Sequence, residues 1–157
     1  DAFVKYKHQG ATSETKISSH GKTIHKRIIR YLDHDCYERE LHVLCLLELH
    51  QFNWCPRVIS RNDEDKSFVM SYCGEILPKA KRATDYKKQV QKILEDMKSI
   101  KLKHNDIKHT ETLILNGKVH LIDFGWASIE DDFSCGIAIS SRKKPCGIYD
   151  DARMLNF

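Results

Sequence analysis

The chain carries 157 residues, 26 of them Lys or Arg and 22 Asp or Glu, for a net charge of +4. That length suits a single domain, residues 1–157, with enough apolar content to bury a core. No run of 18 apolar residues occurs, which excludes a membrane-spanning helix, and no basic segment leading into an apolar one opens the chain, so no secretory signal is expected.

Residues 14–30 read as two strands, Glu14 to Ser19 and Lys22 to Arg30, broken at His20-Gly21. Ile24, Ile28 and Ile29 give the second its β-branched weight. From Asp35 the pattern turns helical. Asp33 and Asp35 are caps, and Tyr37, Leu41, Leu44 and Cys45 recur at helical spacing to about Phe52. Pro56 blocks further helix, Arg57 to Ser60 reads as a short strand, and Asn62 to Lys66 is a polar turn before a strand from Ser67 to Cys73. Gly74 and Pro78 mark a crossing segment. A long helix follows from about Thr84, with Tyr86, Val90, Ile93, Leu94 and Met97 on one face. The tail from Trp126 is poor in regular pattern until a final short helix over Tyr149 to Phe157, capped by Asp150 or Asp151.

Between that long helix and the tail lie His104-Asn105-Asp106 and Asp123-Phe124-Gly125. Their carboxylates, Asp106 and Asp123, are 17 residues apart, separated by Leu113-Ile114-Leu115, an Asn116-Gly117 turn, and Val119, Leu121 and Ile122. Asn-Gly between two apolar runs is a strong hairpin signal, because a two-residue turn needs positive φ at both centres. Such a hairpin brings Asp106, before its first strand, near Asp123, after its second. Two carboxylates at one edge of a small sheet suit a base and a metal ligand for phosphoryl transfer.

His104-Asn105-Asp106 resembles the HRD catalytic loop of the protein kinases, and Asp123-Phe124-Gly125 is their DFG signature as it stands. The chain is therefore similar to the protein kinase-like superfamily. The resemblance implies an α+β, two-lobe fold with a small antiparallel-sheet N-lobe carrying one αC helix (about 1–73) and a reduced helical C-lobe (74–157). It implies ATP with Mg²⁺ or Mn²⁺ as cofactors. Asp106 takes the place of the catalytic base, Lys108 of the loop lysine that steadies the γ-phosphate, and Asp123 of a metal ligand. Lys26 resembles the strand lysine that pairs with the phosphates, and Glu40 its αC partner; Lys22 and Glu38 are the rivals. Ser67 to Gly74 resembles the last small-lobe strand and hinge, with Met70 behind the adenine and Ser71 and Cys73 offering backbone groups to its edge. His104 braces the loop.

Three features depart from the family pattern. Where the family has a second metal-binding Asn, five residues after the loop Asp, this chain has Glu111, or Thr112 if one residue is inserted. No G-x-G-x-x-G loop occurs. Instead Gly10, in His8-Gln9-Gly10-Ala11-Thr12-Ser13, offers one glycine to the phosphates, as in the Gln-Gly-Ala turn of the small RIO-like and tRNA-modification-complex kinases. Only 32 residues follow Gly125, without an Ala-Pro-Glu motif, so the platform that holds peptide substrates is mostly absent, and Tyr149 to Arg153 stands for the helix whose Asp anchors the catalytic loop.

Six cysteines (Cys36, Cys45, Cys55, Cys73, Cys135 and Cys146) form no C-x-x-C pair and no zinc spacing, and fit a reduced intracellular, cytoplasmic protein. The reading is an ATP- and Mg²⁺-dependent phosphotransferase, serine/threonine-protein kinase-like, acting on a hydroxyl of a protein substrate; a small-molecule hydroxyl stays open. The alternative is a catalytically weak pseudokinase, a nucleotide-binding module that regulates a protein partner. A nucleic-acid partner rests only on the clusters Lys79 to Arg82 and Arg142 to Lys144, which lack interleaved aromatics.

Overall fold

The computed structural model of the chain describes residues 3–5 (by backbone), 13–29, 36–130 and 151–157. Strand β1 (Phe3–Lys5), which the residue pattern did not announce, pairs antiparallel with β2 (Ser13–Ser18). β2 turns at Gly21, φ 72°, into β3 (Thr23–Ile28), with Ile17 opposite Ile24 and Thr15 opposite Lys26. Period-two alternation buries Ile24, Lys26 and Ile28 on one face of β3 and leaves Thr23, His25 and Arg27 on the other. A lysine thus shares a core face with two isoleucines. Lys22, its rival in the sequence, lies exposed in the turn.

Helix α1 (Cys36–Leu49) buries Tyr37, Leu41, Val43, Leu44 and Leu47, and with them two charged residues, Arg39 and Glu40. It stops in a Schellman motif, in which the Phe52 N–H bonds the Leu47 carbonyl (3.1 Å) and the Gln51 N–H that of Glu48 (2.9 Å). Gln51 takes the left-handed position, φ 60°, usually given to glycine. Strands β4 (Val58–Asn62) and β5 (Ser67–Ser71) complete a five-stranded antiparallel sheet in the order β1-β2-β3-β5-β4.

The expected strand to Cys73 ends two residues early. Tyr72 gives its N–H to Lys22 (3.0 Å), and Gly74 then turns at φ 106°, so Glu75 pairs with Ile114 instead of extending the sheet. Helix α2 (Tyr86–Ser99) seats Tyr86, Val90, Ile93 and Met97 in the core, the face its periodicity gives. Two-residue strands β6 (Leu102–Lys103) and, later, β9 (Ser128–Ile129) pair with each other.

Between them β7 (Thr112–Leu115) and β8 (Lys118–Leu121) form the expected hairpin, with Asn116 and Gly117 at φ 51° and 77°. Gln89 of α2 clasps its tip, donating to the Gly117 carbonyl (2.9 Å) and accepting from Val119 N–H (2.8 Å). The final segment, Asp151–Asn156, is a 3₁₀ helix rather than an α-helix, with Met154 fully buried. No helix among the described residues is long and apolar enough to cross a membrane.

Candidate active site

The alternation of β3 and the turn of α1 carry Lys26 and Glu40 to one point. Lys26 Nζ lies 2.7 Å from Glu40 Oε1 and donates to Oε2 at 3.0 Å. The same ammonium donates to Asp123 Oδ1 at 3.2 Å. Both Lys26 and Glu40 are almost fully buried. Burial alone would drive the lysine toward its neutral form, yet the charges of Asp123 and Glu40 overcome it and leave the pKa raised. Burial, helped by Asp123, also raises Glu40 against the pull of Lys26. Glu38, the rival, instead faces outward to Arg61 at 3.2 Å.

Asp123 adopts φ 70°, a left-handed conformation that costs a non-glycine residue about 1–2 kcal/mol. Its neighbours hold it there. The Phe124 N–H bonds Glu40 Oε2 at 3.0 Å, and the Gly125 carbonyl accepts from Arg39 Nη1 at 2.8 Å. Phe124 is buried edge-on to His104, ring centroids 5.1 Å apart, and tilted against Trp54 at 6.4 Å.

The loop His104-Asn105-Asp106 is braced from both sides. His104 Nδ1 accepts the Asp106 N–H (3.2 Å), so its proton sits on Nε2, which bonds the Ile122 carbonyl at 2.8 Å. The Asp151 carboxylate accepts the N–H groups of His104 (2.8 Å) and Asn105 (3.2 Å). Asn105, at φ 70°, ties the loop to the segment after Gly125 by donating to the Trp126 carbonyl (3.0 Å) and Ser128 Oγ (2.9 Å).

The charges of Asp106 and Asp123 both act on one side chain, Lys108. Lys108 Nζ lies 3.8 Å from Asp106 and 3.6 Å from Glu111. Burial works against its charge, but Glu111, Asp106 and Asp123 together raise its pKa. Glu111 is buried, and its carboxyl accepts from the Lys108 N–H and the Thr110 hydroxyl, each at 3.0 Å. Burial and the nearby Asp123 charge raise its pKa. Thr112, the other candidate, points the opposite way. It shares a strand face with Ile114 of the main core, while Leu113 alternates to the face with Cys73 and Ile122. Its hydroxyl is buried without a hydrogen-bond partner.

An apolar slot opens beside this cluster, lined by Ile24, Met70, Ser71, Cys73, Leu113 and Ile122, with Thr15 and Tyr72 at its side. Of the nucleotide-site residues expected from the sequence, Met70, Ser71 and Cys73 line this slot, whereas Lys26 and Glu40 pair with each other outside its lining. Gly10 lies outside the described residues. Sequence reasoning missed Arg39 altogether and left the anchoring Asp of the tail unassigned; Arg39 is flanked by two glutamates, and nothing in the sequence marks it as buried.

No family model matches the chain, and no curated protein matches it. Among solved structures it is similar to the aminoglycoside phosphotransferase APH(2″)-IIa in its ternary complex with streptomycin and ATP. That likeness has a TM-score of 0.57 at 15% identity, over 82% of this chain and 67% of that one. The chain has the kinase-like fold, α+β, with a small antiparallel-sheet lobe bearing one helix and a reduced helical lobe.

Proposed function

We propose that the chain is a phosphotransferase that moves the γ-phosphoryl group of ATP to a hydroxyl. One observation carries this reading: two ion-paired groups, Lys26 with Glu40 and Asp123 and Lys108 with Asp106 and Glu111, lie within electrostatic reach of each other through Asp123, with an apolar slot beside them. The slot's apolar lining matches a heteroaromatic ring in character, with Met70 in its wall and the backbone of Ser71 and Cys73 at its edge; its enclosed space, about 20 Å³, is that of one or two waters, so a bound base has to widen it. Lys26, kept charged and fixed by Glu40, suits a phosphate oxygen. Asp106 takes the acceptor proton as the hydroxyl oxygen bonds phosphorus and the bond from the γ-phosphorus to the bridging oxygen breaks, releasing ADP. Lys108 faces the charge that develops on the transferred group.

The donor set fits Mg²⁺ or Mn²⁺. Among the described residues no three His, Cys, Asp or Glu side chains close around an ion by themselves, and Mg²⁺ characteristically takes one or two carboxylates with substrate phosphates supplying the rest. Asp123 and Glu111 would hold it, and when bound it supplies positive charge to neutralise the phosphates.

The acceptor is a hydroxyl of a protein Ser or Thr in our reading. A small-molecule hydroxyl is the competing acceptor, since the structural neighbour was solved with streptomycin beside ATP. A second reading, a pseudokinase that binds nucleotide and regulates a protein partner, draws on Glu111: its carboxyl is already engaged by the Lys108 N–H, Lys108 Nζ and the Thr110 hydroxyl. Incubation with labelled ATP, Mg²⁺ or Mn²⁺, a basic protein and a panel of polyhydroxy amines separates these. Transfer that disappears in Asp106→Ala supports catalysis and identifies the acceptor class. ATP binding without transfer to any acceptor supports the pseudokinase, and absence of ATP binding overturns both.

A further inference from the structure

We propose that Arg39 is a positioning residue that sets the metal ligand Asp123 through its grip on the Gly125 carbonyl; this rests on the nucleotide–metal reading of the site. Arg39 and Glu40 are consecutive residues of α1, each 1% exposed. They hold the two ends of the Phe124-Gly125 segment with opposite polarity. The Glu40 carboxylate takes the Phe124 N–H at 3.0 Å, and the Arg39 guanidinium gives a hydrogen bond to the Gly125 carbonyl at 2.8 Å. The guanidinium carbon also lies 6.0 Å from the centroid of the Trp126 ring, so the same side chain touches the residue after the gripped carbonyl.

Burying a guanidinium is costly unless the charge is paired and hydrogen-bonded. Position 39 has no need of charge for packing, because its helix already seats Tyr37, Leu41, Val43, Leu44 and Leu47 in the core. What the charge does here is charge-assisted hydrogen bonding to a carbonyl two residues beyond Asp123. Asp123 needs such support. Its φ of 70° is strained for a side-chain-bearing residue and persists only where surroundings over-determine it. Glu40 fixes the near side of Phe124 and Arg39 the far side of Gly125. Release of the Phe124 N–H frees the peptide unit that adjoins Asp123, and release of the Gly125 carbonyl frees the end of the turn that backs it, so either loosens the φ that keeps the Asp123 carboxylate at Lys26.

The test uses the full chain with Arg39→Met and Arg39→Lys. Two constants are measured for each: affinity for a fluorescent ATP analogue in EDTA, and affinity of the nucleotide complex for Mn²⁺ by electron paramagnetic resonance. The expected result is a tenfold or greater loss of Mn²⁺ affinity in Arg39→Met with metal-free nucleotide affinity within twofold of wild type. Arg39→Lys, which keeps a donor but loses the planar stacking surface, falls between at about threefold. Parallel loss of both affinities would reduce Arg39 to a packing residue and overturn the proposal, as would unchanged Mn²⁺ affinity. Should Arg39→Met not fold, the lysine variant decides on the same two constants. Absence of nucleotide binding by the wild-type chain would overturn the site reading itself, and this inference with it.

Discussion

Lys26 Nζ donates to Asp123 Oδ1 at 3.2 Å, although 97 residues separate the two in the chain. The contact joins the sheet to the turn after the hairpin, and Glu40 shares the same ammonium. Lys26→Met removes the cation between two carboxylates. Loss of one preorganised charge at a transferring group typically costs about 10²–10³ in rate. Breaking a buried pair also leaves an uncompensated partner and destabilises by about 3–5 kcal/mol. Adding Glu40→Gln removes that partner's charge while keeping an acceptor for the Phe124 N–H. The double variant is expected to regain most of the stability in urea denaturation and none of the phosphoryl transfer. Recovery of transfer would show that Lys26 serves only the fold.

Glu111 and Thr112 divide cleanly in the structure, and so do their expected effects. Glu111→Ala removes a carboxyl that faces Lys108 and the Asp123 charge, and the half-saturating Mn²⁺ concentration is expected to rise by about 10–100-fold, a scale typical of a perturbed metal site. Thr112→Val replaces a buried hydroxyl that has no partner. Deleting an unsatisfied polar atom at matched shape is neutral or stabilising, up to about 1–3 kcal/mol. Titration of Mn²⁺ with both variants, beside their melting curves, checks the pair. A Thr112→Val variant with weakened Mn²⁺ would reverse the assignment.

Much of this site was legible because its signals are local. Asn116-Gly117 carries its own turn geometry, and strand alternation is enough to put Lys26 on a core face. What stayed hidden depends on distant backbone. The β6–β9 pairing is two residues long and sets Leu102 against Ile129, far below the length at which alternation reads. Arg39 looks like any charge on a helix until the Gly125 carbonyl arrives from 86 residues away. Tyr149 to Arg153 reads as the segment whose Asp anchors the loop, but it offers two aspartates, and the fold is needed to show that the Asp151 carboxylate bonds the His104 and Asn105 amides. The strand expected to reach Cys73 stops at Ser71 because Gly74 must turn toward β7, a constraint set by the hairpin and not by the strand's own residues.

Gly74 is the tightest backbone approach at the site. It adopts φ 106°, and a Cβ there would collide with the Ile114 carbonyl, the group that accepts the Glu75 N–H at 3.1 Å. Gly74→Ala is strained in dihedral and blocked in space, so it has to break the Glu75–Ile114 bridge or shift the hairpin. A loss of at least about 3 kcal/mol is expected, the range of severe backbone and overpacking lesions. Gly117→Ala is the control. Its φ of 77° carries the left-handed penalty of about 1–2 kcal/mol, but the space around it is open. Urea midpoints of the two variants should therefore be well separated, and equal midpoints would mean that the crossing segment does not bear on β7.

Thiol titration tests the slot from another side. Burial pushes the thiols of both Cys55 and Cys73 up from 9.0 to about 12. The folded-state pKa lies above the unfolded one, so the folded form holds these protons more firmly. Their contribution to stability is whole below pH 9 and is lost as pH rises from about 9 to about 12. His25 and His120 act at the other end: burial lowers both from 6.5, so their contribution is present above pH 6.5 and declines as the solution is made more acidic. A shift of that size leaves each buried cysteine about a thousandfold less thiolate than an ordinary one at pH 8. Cys45 is exposed and supplies the reference. In timed iodoacetamide labelling read by peptide mass spectrometry, Cys45 should react at least about a hundredfold faster than Cys55 or Cys73. Saturating ATP should leave the Cys45 rate alone and slow Cys73, which lines the slot, more than Cys55, which does not. Cys73 labelling as fast as Cys45, and indifferent to ATP, would remove Cys73 from the nucleotide site.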